Sequence, residues 1–249
     1  MPDGVPPTLA READLSGGGA PGAPAIPRAP AIPRASAARL ARAEGPIHRI
    51  GPNAVTRLAE ALAAADPGGG LAARVFAAAG CLDWLVEPPG AMVDERPVAR
   101  LHAEVHDHMP APLAEAVLRD AGRRTGAYIL AHRIPAPARA LLRALPAVLA
   151  DRMLTAAIAR HAWTFAGSGR FATEPTGARA RRRVVVLGGN PLALPPEDAA
   201  AALPPRPGCV WHAEVFETLY ARLVHPAAAA RETACAADGA PACRFEITW

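Results

Sequence analysis

The last forty residues constrain the fold most strongly, because three of the chain's four cysteines lie there. Cys235 and Cys243 are eight positions apart, and the Asp-Gly pair and the proline between them predict a turn. The branched residues that flank this turn favour strands, so a hairpin would bring the two thiols face to face. Cys209 precedes Cys235 by 26 positions, and Glu232 precedes it by three.

Three thiolates and one carboxylate are a donor set that suits tetrahedral zinc. The residues alone leave two other interpretations open, a disulfide between Cys235 and Cys243 or three unrelated reduced thiols. The spacing is not that of paired CxxC motifs, which would identify zinc strongly. The chain begins without a basic and apolar leader, so we expect a cytoplasmic protein in which reduced thiols favour a metal.

The chain divides by composition into a tail and one domain. Residues 1–45 are rich in proline, alanine and glycine and repeat the unit Ala-Pro-Ala-Ile-Pro-Arg, which predicts a disordered tail. Residues 46–249 are predicted to form a single domain. Its first part, 46–160, has helical apolar spacing, and Pro146 should break the last helix near Leu145.

The second part, 161–249, changes period and predicts short strands. We expect strands at 161–166 and 182–187, a short helix at 197–203, a helix at 209–224 and a final hairpin formed by 232–235 and 243–249. Helices followed by a small antiparallel sheet with one inserted helix describe an α+β fold.

Two predictions concern the faces of the helices. His102, His106 and His108 are expected on a solvated face rather than as metal or pigment ligands. In the last helical region before residue 160, apolar residues repeat at helical spacing and predict the side that faces the core. These are Leu141, Leu142, Leu145, Leu149, Met153, Ala156, Ala157 and Ile158.

The C-terminal stretch also carries a family resemblance. Read from Glu232 to Phe245 as Glu-x2-Cys-x3-Gly-x3-Cys-Arg-Phe, it resembles the end of the 4-vinyl reductase domain family. That family includes the sensor domains of phenol-responsive bacterial transcription activators and is distantly similar to TRAPP-type vesicle-tethering subunits. In the sensor domains a Cys, a Glu and two further Cys hold a structural zinc, and their spacing is matched by Cys209, Glu232, Cys235 and Cys243. The resemblance therefore implies a closed zinc site that staples the hairpin.

A second resemblance points to one branch of this family. Residues 51–54, 92–95, 125–135 and 161–165 look like the bacteriochlorophyll-biosynthesis branch, whose members are named 4-vinyl (C8-vinyl) reductases. The name implies reduction of a vinyl group on a chlorophyllide precursor, with NADPH as a cofactor only if that chemistry occurs. The residues give it little support, because the Gly-Gly-Asn-Pro sequence at 188–191 lacks the third glycine of a dinucleotide loop.

A binding protein is the more economical interpretation. The related sensor domains hold a flat aromatic ligand in an apolar pocket, and a Mg-tetrapyrrole such as divinyl protochlorophyllide is a larger ligand of that kind. Its magnesium would accept an axial imidazole from His132 or His161, near Trp163 and Phe165, although each histidine is as easily an ordinary structural one. Arg133 could pair with a propionate or could only cap a helix.

Three functions remain open from the sequence. They are a Mg-tetrapyrrole carrier or assembly factor, a vinyl reductase with an unseen cofactor site, and a small-molecule sensor that acts through protein contacts. The resemblance implies enzymes of the magnesium branch, a chelatase or reductases, as partners, and leaves open whether the domain forms a homodimer or lies peripherally on the photosynthetic membrane. The net charge of +4 is entirely due to arginine, and the run at 179–183 has no interleaved aromatics, so we expect no nucleic-acid partner.

Overall fold

Helices come first along the chain and the main sheet comes last. The computed structural model describes residues 47–177, 181–193 and 209–249. The predicted tail, the first two residues of the arginine run and the predicted helix at 197–203 lie outside these ranges. The helices are α1 (Asn53–Ala65), α2 (Gly70–Ala78), α3 (Glu95–Asp107), α4 (Ala111–His132), α5 (Ala136–Ala144), α6 (Ala147–His161), α7 (Trp163–Ala166) and α8 (Val210–Leu223).

Proline and aspartate residues set several helix boundaries. Pro146 precedes α6 and separates it from α5, which confirms the predicted break. Asp66 follows α1, and its carboxylate accepts a 2.8 Å hydrogen bond from the backbone N–H of Leu71 at the start of α2. Over the described ranges, none of the helices combines the length and the apolar character that crossing a bilayer requires.

The strands form two antiparallel sheets. β1 (Arg49–Ile50) pairs with β2 (Val93–Asp94) in the smaller sheet. The strands of the larger sheet are β3 (Arg170–Thr173), β4 (Arg182–Gly188), β5 (Ala229–Ala234) and β6 (Cys243–Thr248). Their order in the sheet is β3-β4-β6-β5. The predicted strand at 182–187 and the C-terminal hairpin are thus confirmed, and the fold is α+β.

The strand predicted at 161–166 is wrong, because this segment is helical. α6 continues to His161, Ala162 keeps helical backbone angles, and α7 follows at once. Aromatic residues at alternate positions favour a strand only weakly, and the local helical hydrogen bonds prevail. Gly167, at a φ of 54°, ends the helical segment, and the first strand of the larger sheet begins three residues later at Arg170.

The core lies between the larger sheet and the helices, with α8 at its centre. α8 packs along α4, where Gly122 and Gly126 allow close approach. A Cβ atom at Gly122 would lie 2.5 Å from the carbonyl oxygen of Trp211, and one at Gly126 would lie 2.6 Å from Cβ of Thr218. Two glycines four positions apart therefore allow α4 and α8 to pack closely against each other.

Several predicted burial assignments are wrong. Leu141 on α5 is 50% exposed. Leu149 and Met153 are 45% and 46% exposed, because α6 turns Ala150, Leu154 and Ile158 inward instead. Leu142 and Ile158 were assigned correctly to the core.

The expected solvated histidine face is also wrong at one position. His102 is only 4% exposed, and its Nε2 lies 3.0 Å from the carbonyl oxygen of Ala54. Burial lowers the pKa of His102 to about 4, so the imidazole is neutral and donates this hydrogen bond.

Candidate metal centre and ligand surface

The four predicted metal ligands converge where helix α8 meets the C-terminal hairpin. Cys209 is the residue directly before α8, Cys235 directly follows β5, Cys243 begins β6 and Glu232 lies within β5. Residues three apart on a regular strand point to opposite faces. The pairing register shifts between Glu232 and Ala234, and this irregularity lets the carboxylate and the Cys235 thiol reach one point.

The distances between the sulfur atoms suit a tetrahedral metal ion. Sγ of Cys209 lies 3.8 Å from Sγ of Cys235 and 3.6 Å from Sγ of Cys243, and the remaining pair is 4.0 Å apart. Tetrahedral zinc–sulfur bonds of about 2.3 Å would place two sulfur atoms about 3.8 Å apart. The three thiols are free cysteines, at nearly twice the sulfur–sulfur distance of a disulfide.

The carboxylate completes the donor set. The ligand atoms of Cys209, Glu232, Cys235 and Cys243 all lie within 4.8 Å of one another, so the cluster could hold a metal ion. Oε1 of Glu232 is buried and has no hydrogen-bond partner among the described residues. An orphaned buried carboxylate oxygen is costly unless it has a counter-ion, and a bound cation would satisfy it.

The pKa shifts within the cluster indicate what a bound cation would change. Hydrogen bonds from the thiols of Cys209 and Cys235 lower the pKa of Cys243. Hydrogen bonds with the other two cysteines, followed by burial, raise the pKa of Cys209 well above its usual value. Burial raises the pKa of Glu232 to about 7. The protein's own groups therefore stabilise one thiolate, and only a cation would stabilise three thiolates with a carboxylate.

Asn190 supports the cluster and was missed as a functional residue. It is buried, and its Nδ2 lies 3.2 Å from Sγ of Cys209 and 3.6 Å from Sγ of Cys243. Its Oδ1 accepts a 3.1 Å hydrogen bond from the backbone N–H of Leu192, which fixes the orientation of the amide. Such donors to sulfur orient metal-binding thiolates and tune them. The sequence feature that could have indicated this role is the Gly-Gly-Asn-Pro turn after β4, which was considered above only as a dinucleotide-binding loop.

The cluster is closed on most sides. Cys209, Cys235 and Cys243 are buried, whereas Glu232 is half-buried. A cleft of about 360 Å³ borders Glu232 and Cys235, and Arg119 also lines it. The carboxylate is thus the ligand nearest to solvent, and the sulfur atoms form the protected side.

Two predicted ligand residues are exposed where α6 ends and α7 begins. His161 is exposed, and its Nδ1 lies 2.8 Å from the carbonyl oxygen of Ala157. Because a carbonyl only accepts, Nδ1 donates this hydrogen bond, and Nε2 is the ring nitrogen left for another partner. Trp163 follows two positions later and is 57% exposed. Both side chains are therefore accessible, but residues two apart on helical backbone point in different directions and do not face each other.

Phe165 points away from this surface. It makes edge-to-face contacts with Phe171 and Phe216, at ring-centroid distances of 6.2 and 6.0 Å. Its backbone carbonyl lies 3.4 Å from Nε2 of buried His212. Phe165 is therefore part of the aromatic core and helps to anchor α7.

His132 and Arg133 lie at the end of a different helix, α4. The His132 ring stacks on Tyr128 with a centroid distance of 4.5 Å and an angle of 15°. Arg133 places its guanidinium 5.9 Å from the centroid of the same Tyr128 ring. Among the described residues, no hydrogen bond or ring contact joins this pair to His161 or Trp163, so the sequence prediction combined two separate places.

Comparisons with known proteins give the family. The chain is 47% identical over 215 residues to the bacteriochlorophyll synthase 23 kDa chain of Cereibacter sphaeroides, which covers 84% of this chain and 95% of that protein. It is 45% identical over 134 residues to the protein of the same name from Rhodobacter capsulatus, which covers 54% of this chain and 58% of that protein. No family model matches the chain, so its resemblance to the 4-vinyl reductase domain stays a prediction. On the first of these similarities, the chain belongs to the family of the bacteriochlorophyll synthase 23 kDa chain.

Proposed function

We propose that this protein serves bacteriochlorophyll biosynthesis as a binding subunit, which carries a Mg-tetrapyrrole such as divinyl protochlorophyllide for a partner enzyme. The names of the two relatives support the pathway and support association with a synthesising enzyme. The enzymes of the magnesium branch, a chelatase or reductases, are the partners of this proposal.

The observation that carries the proposal is the exposed imidazole of His161 at the end of α6. A histidine ligates metals through a ring nitrogen that carries no proton, and the bond from Nδ1 to the carbonyl oxygen of Ala157 leaves Nε2 as the nitrogen for this role. The exposed indole of Trp163, two positions further along, adds a flat apolar surface to the same end of the helix. His132 has a similar hydrogen bond from its Nδ1 and stacks on Tyr128; we place the magnesium ligand at His161, because the helical segment there also carries the exposed Trp163.

Zinc is the metal that we propose for the cysteine cluster. Its preference for thiolate, its tolerance of one carboxylate and its tetrahedral geometry fit Cys209, Glu232, Cys235 and Cys243. Four protein ligands would leave no position for a substrate, so this zinc would stabilise the fold. The ligand surface at His161 would then be the part of the molecule that acts on the pathway.

The test mixes the purified zinc-loaded protein, without oxygen, with divinyl protochlorophyllide and records the absorption spectrum. We expect the wild type to shift the pigment bands. His161→Ala should weaken binding about tenfold, or about 1.4 kcal/mol, because the axial bond is lost. His132→Ala is the matched control, since it removes an exposed helix-end histidine with the same kind of backbone hydrogen bond.

Addition of NADPH and chromatography of the extracted pigment separate a carrier from a reductase. An intact vinyl group is the expected result. Conversion to the ethyl product would replace the carrier proposal by a reductase. If His132→Ala, rather than His161→Ala, abolished the spectral shift, the proposed position of the ligand would be wrong.

A further inference from the structure

An apolar stripe runs along the solvent-facing side of α6 and into α7. Leu149, Met153, Ala156, Arg160 and Trp163 recur at intervals of three and four, which places them on one helical face. The helical backbone of Ala162 carries this face across the junction between the two helices. At 1.5 Å per residue, the stripe from Leu149 to Trp163 is about 21 Å long.

The inner face of α6 is fixed to the core, so the stripe cannot turn inward by rotation of the helix. Buried Asp151 forms an ion pair with Arg183 of β4 and accepts a 3.0 Å hydrogen bond from the hydroxyl of Tyr220 on α8. Thr155 adds a 2.7 Å hydrogen bond to the same hydroxyl. Roughly half of each large apolar side chain on the outer face is consequently left in water, with 45% of Leu149 exposed.

The charges around the stripe have one sign. Between residues 131 and 166 the only carboxylate is that of Asp151, which is buried and paired. Arg152 is exposed beside the stripe, and Arg160 is exposed within it. Arg152 shares a cleft of about 390 Å³ with Glu174, but Glu174 already forms a 2.6 Å ion pair with Arg244. The surface therefore combines apolar side chains with arginine.

We propose that this face docks on an anionic phospholipid bilayer. Apolar side chains of an interfacial helix enter the boundary between headgroups and acyl chains, and tryptophan is favoured at that depth. Arginines beside them attract acidic headgroups. A second copy of the chain fits the surface less well, because a two-fold contact would bring Arg152 and Arg160 together with their own copies, without a free carboxylate in the segment.

The experiment is flotation of the full-length, metal-loaded protein, without pigment, with vesicles of phosphatidylglycerol and phosphatidylcholine. We expect binding that phosphatidylcholine vesicles do not support and that high salt reverses. Met153→Glu should weaken binding about tenfold or more, and Arg160→Gln about fivefold. Val86→Glu is the matched control, because Val86 is 89% exposed and lies on another part of the chain.

A fluorescence measurement tests the depth of the stripe directly. Trp163 should shift its emission to shorter wavelength on anionic vesicles, and Trp163→Phe should remove most of that shift while it retains binding. Equal binding to neutral vesicles, no binding to either kind, or binding unaffected by Met153→Glu would overturn the proposal. A stable dimer that Met153→Glu dissociates would assign the stripe to a second copy instead. Because no pigment is present, none of these outcomes depends on the tetrapyrrole proposal.

Discussion

Removal of one thiolate from the cysteine cluster is the sharpest test of the proposed metal. Cys243→Ser replaces the most buried sulfur, which is 0% exposed and lies 3.6 and 4.0 Å from the other two. The hydroxyl is a far weaker zinc ligand than a thiolate at neutral pH. The variant should therefore lose the metal rather than hold it in a distorted site.

The expected loss of stability follows from binding linkage. A ligand that binds only the folded state adds about 4 kcal/mol when its free concentration is a thousand times its Kd. For a domain of this size each kcal/mol shifts the melting temperature by about 2–4 °C, so loss of the metal should lower it by about 8–16 °C. Small zinc fingers unfold altogether without metal. Here the larger core, which extends from the cluster along α4 and α8, should keep most helices folded.

The assay combines metal analysis with thermal melting followed by circular dichroism. Wild type should contain about one zinc per chain, and chelation should lower its melting temperature by the same amount as Cys243→Ser. Cys81→Ser is the matched control, since Cys81 is also a buried free thiol but lies outside the cluster. It should keep its metal.

Two results would refute this reasoning. One is a wild type that melts at the same temperature with and without chelator. The other is a cluster whose cysteines are recovered as a disulfide after purification under reducing conditions. Either would return the three thiols to the alternatives that the sequence left open.

Two further predictions concern the core. Gly122→Ala should destabilise the protein by about 3 kcal/mol, because its methyl group would approach the carbonyl oxygen of Trp211 to 2.5 Å. Urea denaturation measures this loss, and it should show no such loss for the control Gly90→Ala, where the space around the methyl group is open. The pKa of buried His102 is lowered to about 4, so the imidazole binds a proton more readily in the unfolded chain than in the folded protein. The neutral imidazole therefore favours the folded state at neutral pH, and this contribution to stability is lost as the pH falls from 6.5 towards 4. Between pH 7 and pH 5 the loss should be about 2 kcal/mol; His102→Gln should reduce this pH dependence in melting experiments, whereas His161→Gln should leave it unchanged.

The metal cluster could be predicted because its signal is chemical and local. Thiols are few in this chain, and a turn between Cys235 and Cys243 brings them together whatever the rest of the fold does. The helix break at Pro146 is of the same kind, since proline removes a donor at a known position. Asn190 had a visible turn signal but no way to show which atoms its amide would meet.

The faces of α6 could not be predicted from periodicity. Apolar residues occur on both sides of this helix, so Leu149 and Met153 fit the core pattern as well as Ala150 and Leu154 do. The choice between the two sides is made by Asp151, whose buried ion pair with a distant strand has no local signature.

Helix α8 explains why a metal at its start can matter to the whole domain. Its first turn begins at Cys209, its middle packs against Gly126 of α4, and Tyr220 near its end binds Asp151 of α6. The hairpin cysteines would thus tie the sheet to the one helix that orients both α4 and α6. The surface that carries His161 and Trp163 contributes no ligand to the cluster, so the metal would act on it only through the position of these helices. The two proposals are therefore compatible, because a metal in the cluster would stabilise the fold while the outer face of α6 would bind.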